Sequence, residues 1–302
     1  MDAERLKLIE KYEKMMLKNK EPGRKFRPID FIGYLGLMIG AFLCLTPLLW
    51  LADSSFRPRI EIFSMPPVIL QKPIWEAFAS YTLQTFGEAL ALRADINFFN
   101  SVYVTATSVI LTLLVCSLAA YAFAFLRFPG RNFFFFFSIA TMMLPTMTLL
   151  AAYFKVIQTV GLYNNILGII IPYAGSAMGI FLLRQYYIKI PYSLYEAAVV
   201  DGANKFYIWW QIVLPLSKPA LSALAIYQFR YIWNDFLIPM LILREESIFT
   251  LPIKLQLMDS YNFNKPYGAI IATGFISALI PIIIFLIFRR QFIEGFAGGV
   301  KG

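Results

Sequence analysis

Five uncharged stretches, each at least 22 residues long, constrain this sequence more than any other feature. They cover residues 31–52, 96–126, 132–154, 156–183 and 266–288. An apolar stretch of about 18 residues or more is long enough to cross a bilayer as a helix. A sixth stretch, residues 219–243, is apolar apart from Arg230 and Asp235. The pattern predicts an all-α integral membrane protein with six transmembrane helices.

The composition excludes several other classes of protein. Only 15% of the 302 residues are charged and 59% are hydrophobic, whereas roughly a quarter of a soluble domain is charged. The sequence contains no histidine, so catalysis and metal binding through histidine are excluded. Cys44 and Cys116 both lie in predicted spans, where we expect no disulfide framework. We expect no catalytic residues and no metal site.

Basic residues are distributed unequally between the two sides that six spans would create. Lys and Arg number 18 in residues 1–30, 127–131, 184–218 and 289–302, and 8 in the connections on the other side. Since the more basic side faces the cytoplasm, we expect a multi-pass protein of a bacterial or archaeal inner membrane with both termini in the cytoplasm. Topology therefore accounts for the net charge of +9, and we expect no nucleic-acid partner.

The two ends of the chain are expected to be cytoplasmic segments, residues 1–30 and 291–302. No cleavable signal peptide is apparent, because the first apolar stretch is long enough to remain in the membrane. Residues 1–20 fit either a helix on the membrane surface or a solvated charged tail. Between the ends we expect the first transmembrane helix over 31–52, an extracytoplasmic loop over 53–95, and a core of five further transmembrane helices with their loops over 96–290.

The connection between the fourth and fifth spans, residues 184–218, is unusually long for a cytoplasmic loop, which indicates a function. Ser193 stands three residues before Glu196, a capping-box spacing that predicts a helix starting just after Pro191. Gly202 would end or bend this helix. A second amphipathic segment, residues 203–214, would stop at Pro215.

The same connection resembles the EAA loop of binding-protein-dependent ABC importer permeases, and we call residues 184–218 the EAA-type loop. The matching positions are Glu196, Ala197, Ala198, Gly202, Ile212, Leu214 and Pro215. The resemblance implies the type I ABC importer permease fold and a loop that docks into an ATPase subunit. The residues implied to couple to the ATPase are these seven together with Asp201 and Ala203. Glu196 could instead serve only the capping box, and the two roles are compatible.

The resemblance extends over about residues 96–302 and is to the smaller permease of the maltose-type branch, which imports carbohydrates. It is carried by the segments FFNSVYVT, SLAAYAFAFLRFPGRN, MMLPTMTLLAAYF, GLYNN, FLLRQYY, YIWNDFLIPMLIL and AGGVKG. One position departs from the branch: a glycine commonly follows the proline of the third span, whereas Thr146 follows Pro145 here. A helix break at Pro145 is still expected.

The resemblance also implies the partners: a second homologous permease, two ATPase subunits, an extracytoplasmic solute-binding protein and a carbohydrate. The chain lacks a G-x-x-x-x-G-K-[ST] loop that could hold nucleotide phosphates. We therefore expect no cofactor on this chain and no enzymatic activity, with ATP and magnesium used by the partner ATPase. Residues 295–302 resemble the tail that reaches between the ATPase subunits; a disordered end is the alternative.

Arg230 is the main candidate for the substrate pathway, because a buried charge in a membrane span is costly. Asn234 lies one turn further along the same face. Three interpretations of Arg230 are open: pairing with an acid, snorkelling along the bundle, or contact with an acidic sugar. Tyr227, Gln228 and Trp233 are further candidates, since aromatic rings can stack on sugars.

Residues 244–266 resemble the family loop that contacts the solute-binding protein, although a simple surface connection would look similar. Residues 53–97 could form a second contact surface, and Trp75 and Phe78 within them would suit an interfacial helix. The sequence therefore predicts the permease subunit of an ATP-driven carbohydrate importer. The alternatives are a permease of the same family for glycerol phosphate or a polyamine, and an ATP-independent secondary transporter.

Overall fold

The computed structural model describes residues 28–66, 73–261 and 265–300. The chain divides into two compact units, residues 1–50 and 51–302. In the first unit, the described residues form most of α1 (Pro28–Ser55), whose last turn belongs to the second unit. The predicted surface helix or tail in residues 1–20 lies outside the described residues.

The described part of the second unit is built from helices and their connections, with no strand among those residues. The helices that follow α1 are α2 (Ile74–Ala79), α3 (Gln84–Ala91), α4 (Ala94–Phe125), α5 (Arg131–Ala140), α6 (Thr146–Thr159), α7 (Leu167–Ala174), α8 (Ala177–Tyr187), α9 (Tyr192–Val200), α10 (Lys205–Leu216), α11 (Lys218–Trp233), α12 (Leu237–Ile242), α13 (Leu251–Asp259) and α14 (Tyr267–Val300).

Four described helical segments are long and apolar enough to cross a membrane: Phe31–Ser55, Ala94–Phe125, Leu167–Tyr187 and Tyr267–Arg289. Two bent helix pairs, Arg131–Met143 with Thr146–Thr159 and Lys205–Leu216 with Lys218–Trp233, raise the possible number of spans to six. The predicted all-helical membrane fold is confirmed, but several predicted spans are not single straight helices.

The third predicted span, residues 132–154, breaks at Pro145 as expected. A short 3₁₀ turn, Thr141–Met143, ends the first half, and the second half is inclined to it by 111°. Pro145 has an extended backbone, and its carbonyl oxygen accepts a bond of 2.7 Å from the Thr148 hydroxyl. The same oxygen also accepts the backbone N–H of Thr148 at 3.0 Å, so Thr148 secures the start of the second half through two bonds.

The fourth span begins later than the sequence predicts. Residues 156–159 complete α6, and the GLYNN segment then forms a turn in which Gly161 and Asn164 have φ angles of +74° and +55°. The span itself is Leu167–Tyr187. The uncharged stretch therefore contains the end of one helix, a turn and the next helix, which charge alone cannot separate.

The fifth predicted span, residues 219–243, is also interrupted. α11 ends at Trp233 and α12 begins at Leu237. The Asn234 amide donates to the Arg230 carbonyl oxygen at 2.8 Å, and the Asp235 carboxylate accepts from the backbone N–H of Leu237 at 2.9 Å. Because these polar side chains satisfy backbone groups, the helix can stop inside an apolar stretch. Arg230 therefore lies in the last turn of α11, not at the middle of a long helix.

α4 is the central helix of the second unit, since α7, α8, α11 and α13 all pack on it. Its 32 residues span about 48 Å at 1.5 Å per residue. Close packing is visible at Gly179 of α8, where a β-carbon would lie 3.0 Å from the Cys116 sulfur and 3.2 Å from Leu224 of α11. α4 thus connects the EAA-type loop at its C-terminal end with residues 244–251 at its N-terminal end.

Candidate coupling surface and transport pathway

The first helix of the EAA-type loop, α9, starts at Tyr192, directly after Pro191, where the sequence predicts it. The prediction of a capping box, however, is wrong. Pro191 is the residue at the N-cap, and no side chain bonds to the backbone there. Proline fixes its own φ angle near the value that a helix start needs. Ser193 and Glu196 are therefore both exposed positions within the helix, and Glu196 is free of the capping role.

Gly202 ends α9 in a Schellman motif. Its φ angle is +82°, a region that favours glycine. The Gly202 N–H donates to the Val199 carbonyl oxygen and the Ala203 N–H to the Ala198 carbonyl oxygen, each at 3.0 Å. In this motif the residue after the glycine contacts the third residue from the helix end, and here these residues are Ala203 and Ala198, which face the same apolar cluster. The predicted corner at Gly202 is confirmed.

The second helix of the loop, α10, differs from the prediction. The Asn204 side chain caps it by accepting from the Tyr207 N–H at 2.8 Å. Residues Trp209–Val213 form a π-helical turn. The helix passes through Pro215 and ends at Leu216, because the wide turn makes room for the proline ring. The corner of 80° lies at Ser217, whose hydroxyl bonds to the Val213 carbonyl oxygen at 2.6 Å.

A buried chain of hydrogen bonds attaches α10 to two spans. The indole N–H of Trp209 donates to the Ser117 hydroxyl oxygen of α4 at 2.8 Å. The same oxygen lies 2.8 Å from the Tyr187 hydroxyl of α8. Nearby, the Tyr121 hydroxyl of α4 donates to the Lys205 carbonyl oxygen at 2.9 Å. Since polar groups buried in a low-dielectric environment are costly to leave unpaired, these bonds hold the loop in one position on the spans.

An apolar cluster surrounds these bonds and packs the loop against the spans. Its buried members from the loop are Ala198, Ile208, Trp209 and Val213, and its members from the spans include Cys116, Ala120, Tyr121, Phe125, Leu183, Tyr187, Ala220 and Leu224. On one side of the cluster, the Phe125 ring stacks on Tyr195 with centroids 5.5 Å apart. The loop is therefore part of the folded core and not a free connection.

The predicted coupling residues divide into two groups. Ala198 is buried, and Ala203, Ile212 and Leu214 are partly buried against the cluster, so these four support the loop. Glu196, Ala197, Asp201, Gly202 and Pro215 are exposed.

The loop exposes several large apolar side chains that sequence reasoning missed, and four of them lie on either side of the corner at Gly202. They are Val200, Phe206, Tyr207 and Trp210, and Val200 is 86% exposed. We call these four residues, together with the exposed Glu196 and Asp201, the coupling surface; it combines apolar side chains with two carboxylates. Large exposed apolar surfaces mark interaction sites. The sequence did contain a signal for these residues, because apolar residues are frequent in a loop that is predicted to lie outside the bilayer.

A second candidate feature is a cavity beside the break at Pro145. It has a volume of about 380 Å³, within the range of about 300–1,000 Å³ typical of small-molecule sites. The lining residues come from α6, α7, α8, α11, α12 and the break itself, and four tyrosines are among them: Tyr153, Tyr173, Tyr227 and Tyr231. We call it the tyrosine cavity.

Two of the five predicted pathway residues, Tyr227 and Gln228, line the tyrosine cavity. Trp233 does not: it is 2% exposed, and its indole N–H donates to the Ser277 carbonyl oxygen of α14 at 3.0 Å. Arg230 and Asn234 are exposed on α11 and do not line the cavity. Within the described residues Arg230 forms no ion pair, so pairing with an acid of the described part of this chain is not observed.

Asp235 lies behind the cavity wall. The Tyr173 hydroxyl donates to one carboxylate oxygen at 2.6 Å, while the other oxygen accepts from the start of α12. The sequence did not single out Tyr173, because a tyrosine in an apolar span is indistinguishable from packing. In the described part of the chain, no group of three or more acidic, cysteine or histidine side chains is placed to hold a metal ion.

At the other end of α4, side-chain amides hold the connection over residues 244–266. The Asn97 amide donates to the carbonyl oxygens of Glu246 and Phe249 at 2.9 and 3.1 Å. The Asn100 amide donates to those of Ser247 and Phe249 at 2.8 and 3.0 Å. Sequence reasoning missed both residues, although Asn100 lies in the FFNSVYVT segment and Asn97 directly precedes it.

The GLYNN turn holds the same connection from a second side. The side-chain oxygen of Asn164, Oδ1, accepts from the backbone N–H groups of Arg244 and Glu245. The side-chain amide nitrogen of Asn164 donates to the Glu245 carboxylate at 2.8 Å. Its left-handed backbone is a conformation that asparagine tolerates better than most residues. Residues 262–264 of the connection lie outside the described residues.

The segment that follows α1 is organised around a buried arginine. The Arg57 guanidinium donates two bonds of 2.8 Å to the Asp53 carboxylate and lies 5.2 Å from the centre of the Tyr81 ring. The hydrogen bond to Asp53 raises the pKa of Arg57, and burial with a bond to Asp53 raises the pKa of Tyr81 to about 12. Trp75 and Phe78, which the sequence predicts to suit an interfacial helix, both lie on α2 and are exposed.

Comparison of the sequence with known protein families identifies the family of this chain. The family described as binding-protein-dependent transport system inner membrane component matches residues 117–292. This chain belongs to that family. The permease is accordingly a multi-pass inner membrane subunit that works with an ATPase and a binding protein. The match covers the EAA-type loop, the break at Pro145 and the tyrosine cavity, and it begins at Ser117, the residue that anchors Trp209.

Curated relatives match almost the whole permease. It is 35% identical over 285 residues to the arabinooligosaccharides transport system permease protein AraQ of Halalkalibacterium halodurans, covering 92% of the permease and 99% of the relative. It is 30% identical over 284 residues to the sn-glycerol-3-phosphate transport system permease protein UgpE of Yersinia enterocolitica, covering 91% and 98%.

One solved structure shows the same fold. The permease matches a chain of a bacterial ABC transporter involved in the import of the acidic polysaccharide alginate with a TM-score of 0.78 and 24% identity, covering 90% of the permease and 99% of that chain. At this identity the likeness concerns the fold alone. It confirms the predicted fold class, an ABC importer permease.

Proposed function

We propose that this permease passes a carbohydrate from an extracytoplasmic solute-binding protein to the cytoplasm. It does so as the smaller of two homologous permeases, together with two ATPase subunits that bind ATP and magnesium. The chain itself hydrolyses nothing and holds no cofactor. Both termini lie in the cytoplasm, as the basic residues predict.

The observation that carries this proposal is the coupling surface. It exposes Val200, Phe206 and Trp210 beside the carboxylates of Glu196 and Asp201, on a loop that is attached to the spans by the Trp209–Ser117 bond. An ATPase subunit with an apolar cleft and a basic group would match both the shape and the charge of this surface.

The attachment explains how motion would reach the pathway. When ATP closes the ATPase dimer, the coupling surface is displaced with it. Trp209 of α10 bonds to Ser117 of α4, and the Ser117 hydroxyl in turn bonds to Tyr187 of α8. The displacement would therefore pass to α8, which is one of the helices that line the tyrosine cavity. ATP acts only through its different affinity for the inward-open and outward-open states.

Two segments would receive the binding protein at the other side of the membrane. The first is the connection over residues 244–266, held by Asn97, Asn100 and Asn164. The second is the segment 53–95, with the exposed Trp75 and Phe78. The amide anchors would keep the docking surface in place while the spans rearrange.

The coupling proposal is tested by co-purification. Val200→Glu replaces the most exposed apolar side chain of the coupling surface with a third carboxylate. We expect it to reduce recovery of the ATPase with the tagged permease at least tenfold. Ile60→Glu, at a position that is 91% exposed and far along the chain from the loop, is the matched control and should retain the ATPase. Equal recovery with both variants would contradict the proposed surface.

The carbohydrate class is tested by uptake into proteoliposomes that contain both permeases, the ATPase and the binding protein. Relatives named for arabinooligosaccharides favour arabinotriose as the first probe, with maltotriose beside it. Relatives named for sn-glycerol-3-phosphate make that solute the main competitor, and a polyamine is the third probe. ATP-dependent uptake of a saccharide is expected. Uptake without the ATPase would indicate a secondary transporter instead.

A further inference from the structure

The tyrosine cavity carries chemistry that no part of the coupling argument uses. Beside its four tyrosines it is lined by Thr146, Ser176 and Gln228, and by apolar residues such as Leu149 and Ile238. Aromatic faces combined with a few hydroxyl and amide groups are the mixture that binds a small polar ligand with an apolar face. Lipid would not require the polar groups, and water alone would not require the aromatic rings.

Two of the four rings in the cavity, those of Tyr173 and Tyr231, are packed against each other. Tyr173 is buried, its hydroxyl donates to Asp235 at 2.6 Å, and its ring meets the Tyr231 ring edge-on with centroids 6.3 Å apart. Tyr231 itself is 41% exposed, so its outer face is open for another ring. A rigid aromatic wall with one open face is suited to a planar, partly apolar surface such as the C–H face of a sugar ring.

The charges around the cavity favour an uncharged ligand. None of the lining residues is charged, and Arg230 is not among them. Asp235 stands directly behind Tyr173 and contributes a full negative charge. The starts of α6 and α8, at Thr146 and Ala177, offer backbone N–H donors with only partial positive charge. A carboxylate on the ligand would find no guanidinium or ammonium partner in this wall.

We infer that the tyrosine cavity is a binding site for a neutral saccharide ring on the transport path within this subunit, with Tyr231 and Tyr153 as stacking residues and Thr146, Ser176 and Gln228 as hydrogen-bond partners for hydroxyl groups. This inference rests on the proposed function and adds to it the substrate class and the site. It also excludes Arg230 from selecting an acidic sugar at this site.

The site is tested by saturation-transfer NMR on the purified complex of both permeases and the ATPase, without the binding protein. The probes are arabinotriose, maltotriose and the acidic trigalacturonate. We expect transfer to at least one neutral trisaccharide and less to trigalacturonate. Tyr231→Ala and Tyr153→Ala should each reduce the transfer at least fivefold. Tyr231→Phe should retain it, because the ring remains.

Tyr103→Ala is the matched control, since Tyr103 is an exposed tyrosine on α4 outside the cavity. Recovery of the ATPase with each variant separates loss of binding from loss of folding. Unchanged transfer in both alanine variants, or stronger transfer to trigalacturonate than to either neutral sugar, would overturn the inference. If the wild-type complex imports a saccharide while the alanine variants bind normally, only this site is wrong. If the wild type imports no saccharide, the proposed function fails and the inference fails with it.

Discussion

The two ends of α4 hold their loops by different means. At the C-terminal end, the EAA-type loop is attached by an apolar cluster that contains only a few hydrogen bonds, such as that of Trp209 to Ser117. At the N-terminal end, Ile248 and Phe249 also pack against an apolar cluster that includes Val104 of α4. Here, however, the side chains of Asn97, Asn100 and Ser101 in addition bond directly to backbone groups of residues 246–251. Apolar packing resists displacement in all directions, whereas bonds from side-chain amides to backbone carbonyl groups also fix the path of the backbone itself. The difference suits one end that transmits force and one that presents a surface.

The largest effect is expected at Trp209. Trp209→Ala removes a buried indole and its bond to Ser117, and such truncations cost about 3–5 kcal/mol. We expect a lower unfolding temperature of the purified complex and loss of ATP-driven uptake. The neighbouring Trp210, which is 51% exposed, provides the control. Trp210→Ala should leave the unfolding temperature unchanged and weaken only the recovery of the ATPase. Similar unfolding temperatures for the two variants would show that the cluster does not carry the attachment.

Replacing the asparagines that anchor residues 244–251 should destabilise the permease less than Trp209→Ala does. Asn97→Ala removes one hydrogen bond to the Glu246 carbonyl oxygen and one of the two amide bonds to the Phe249 carbonyl oxygen. We expect this to cost about 1–3 kcal/mol. Hydrogen exchange of the amides in residues 246–251 should become faster, while exchange in the EAA-type loop stays the same. Asn100→Ala, at a less buried position, should give a smaller change. Faster exchange at both ends of α4 would mean that the two attachments are not independent.

The corner of the EAA-type loop should affect coupling more than folding. Gly202→Val forces a β-branched residue to a φ angle of +82°, at a cost of about 1–2 kcal/mol, although no atom lies within 4 Å of the added β-carbon. We expect membrane insertion to persist while ATP hydrolysis no longer drives uptake. Asn tolerates this conformation, so Gly202→Asn should retain most uptake. Normal uptake by the valine variant would contradict the role of the corner.

The smallest effect is expected at Lys254, whose buried ammonium lies 3.2 Å from the Glu246 carboxylate. Replacing a buried ion-paired residue by an apolar one of similar volume is often nearly neutral. Lys254→Met should therefore change the unfolding temperature little, by the equivalent of about 1 kcal/mol or less. Glu246→Ala, which leaves the buried ammonium unpaired, should be more damaging than Lys254→Met. The reverse order would show that the ion pair itself is needed.

The sequence predicts the features that depend on local rules. The uncharged stretches reveal the spans, Pro145 marks the break in the third, and the spacing from Glu196 to Pro215 identifies the loop and its corner at Gly202. Each of these depends on hydrophobicity, on a proline ring or on glycine geometry, all of which act within a few residues.

Other features depend on tertiary partners that a sequence does not display. Trp209 and Trp210 are neighbouring residues of the same type, yet Trp209 is buried and Trp210 is exposed. Only the Trp209 side chain faces α4, where it bonds to Ser117. The break after Trp233 exists because Asn234 and Asp235 turn back to the backbone. The tyrosines of the cavity come from three separate stretches of the chain, so no local pattern connects them.

The π-helical turn at Trp209–Val213 sets the rotational phase of the coupling surface. Such a turn contains one residue more than an α-helical turn, and one residue corresponds to about 100° of rotation around the helix axis. If Gln211 were deleted, the segment could become regular α-helix, but Phe206 and Tyr207 would then point about a quarter-turn away from their present direction. The chain could fold, and the ATPase would meet the wrong face. Substitutions in this segment should therefore be tolerated far more often than insertions or deletions.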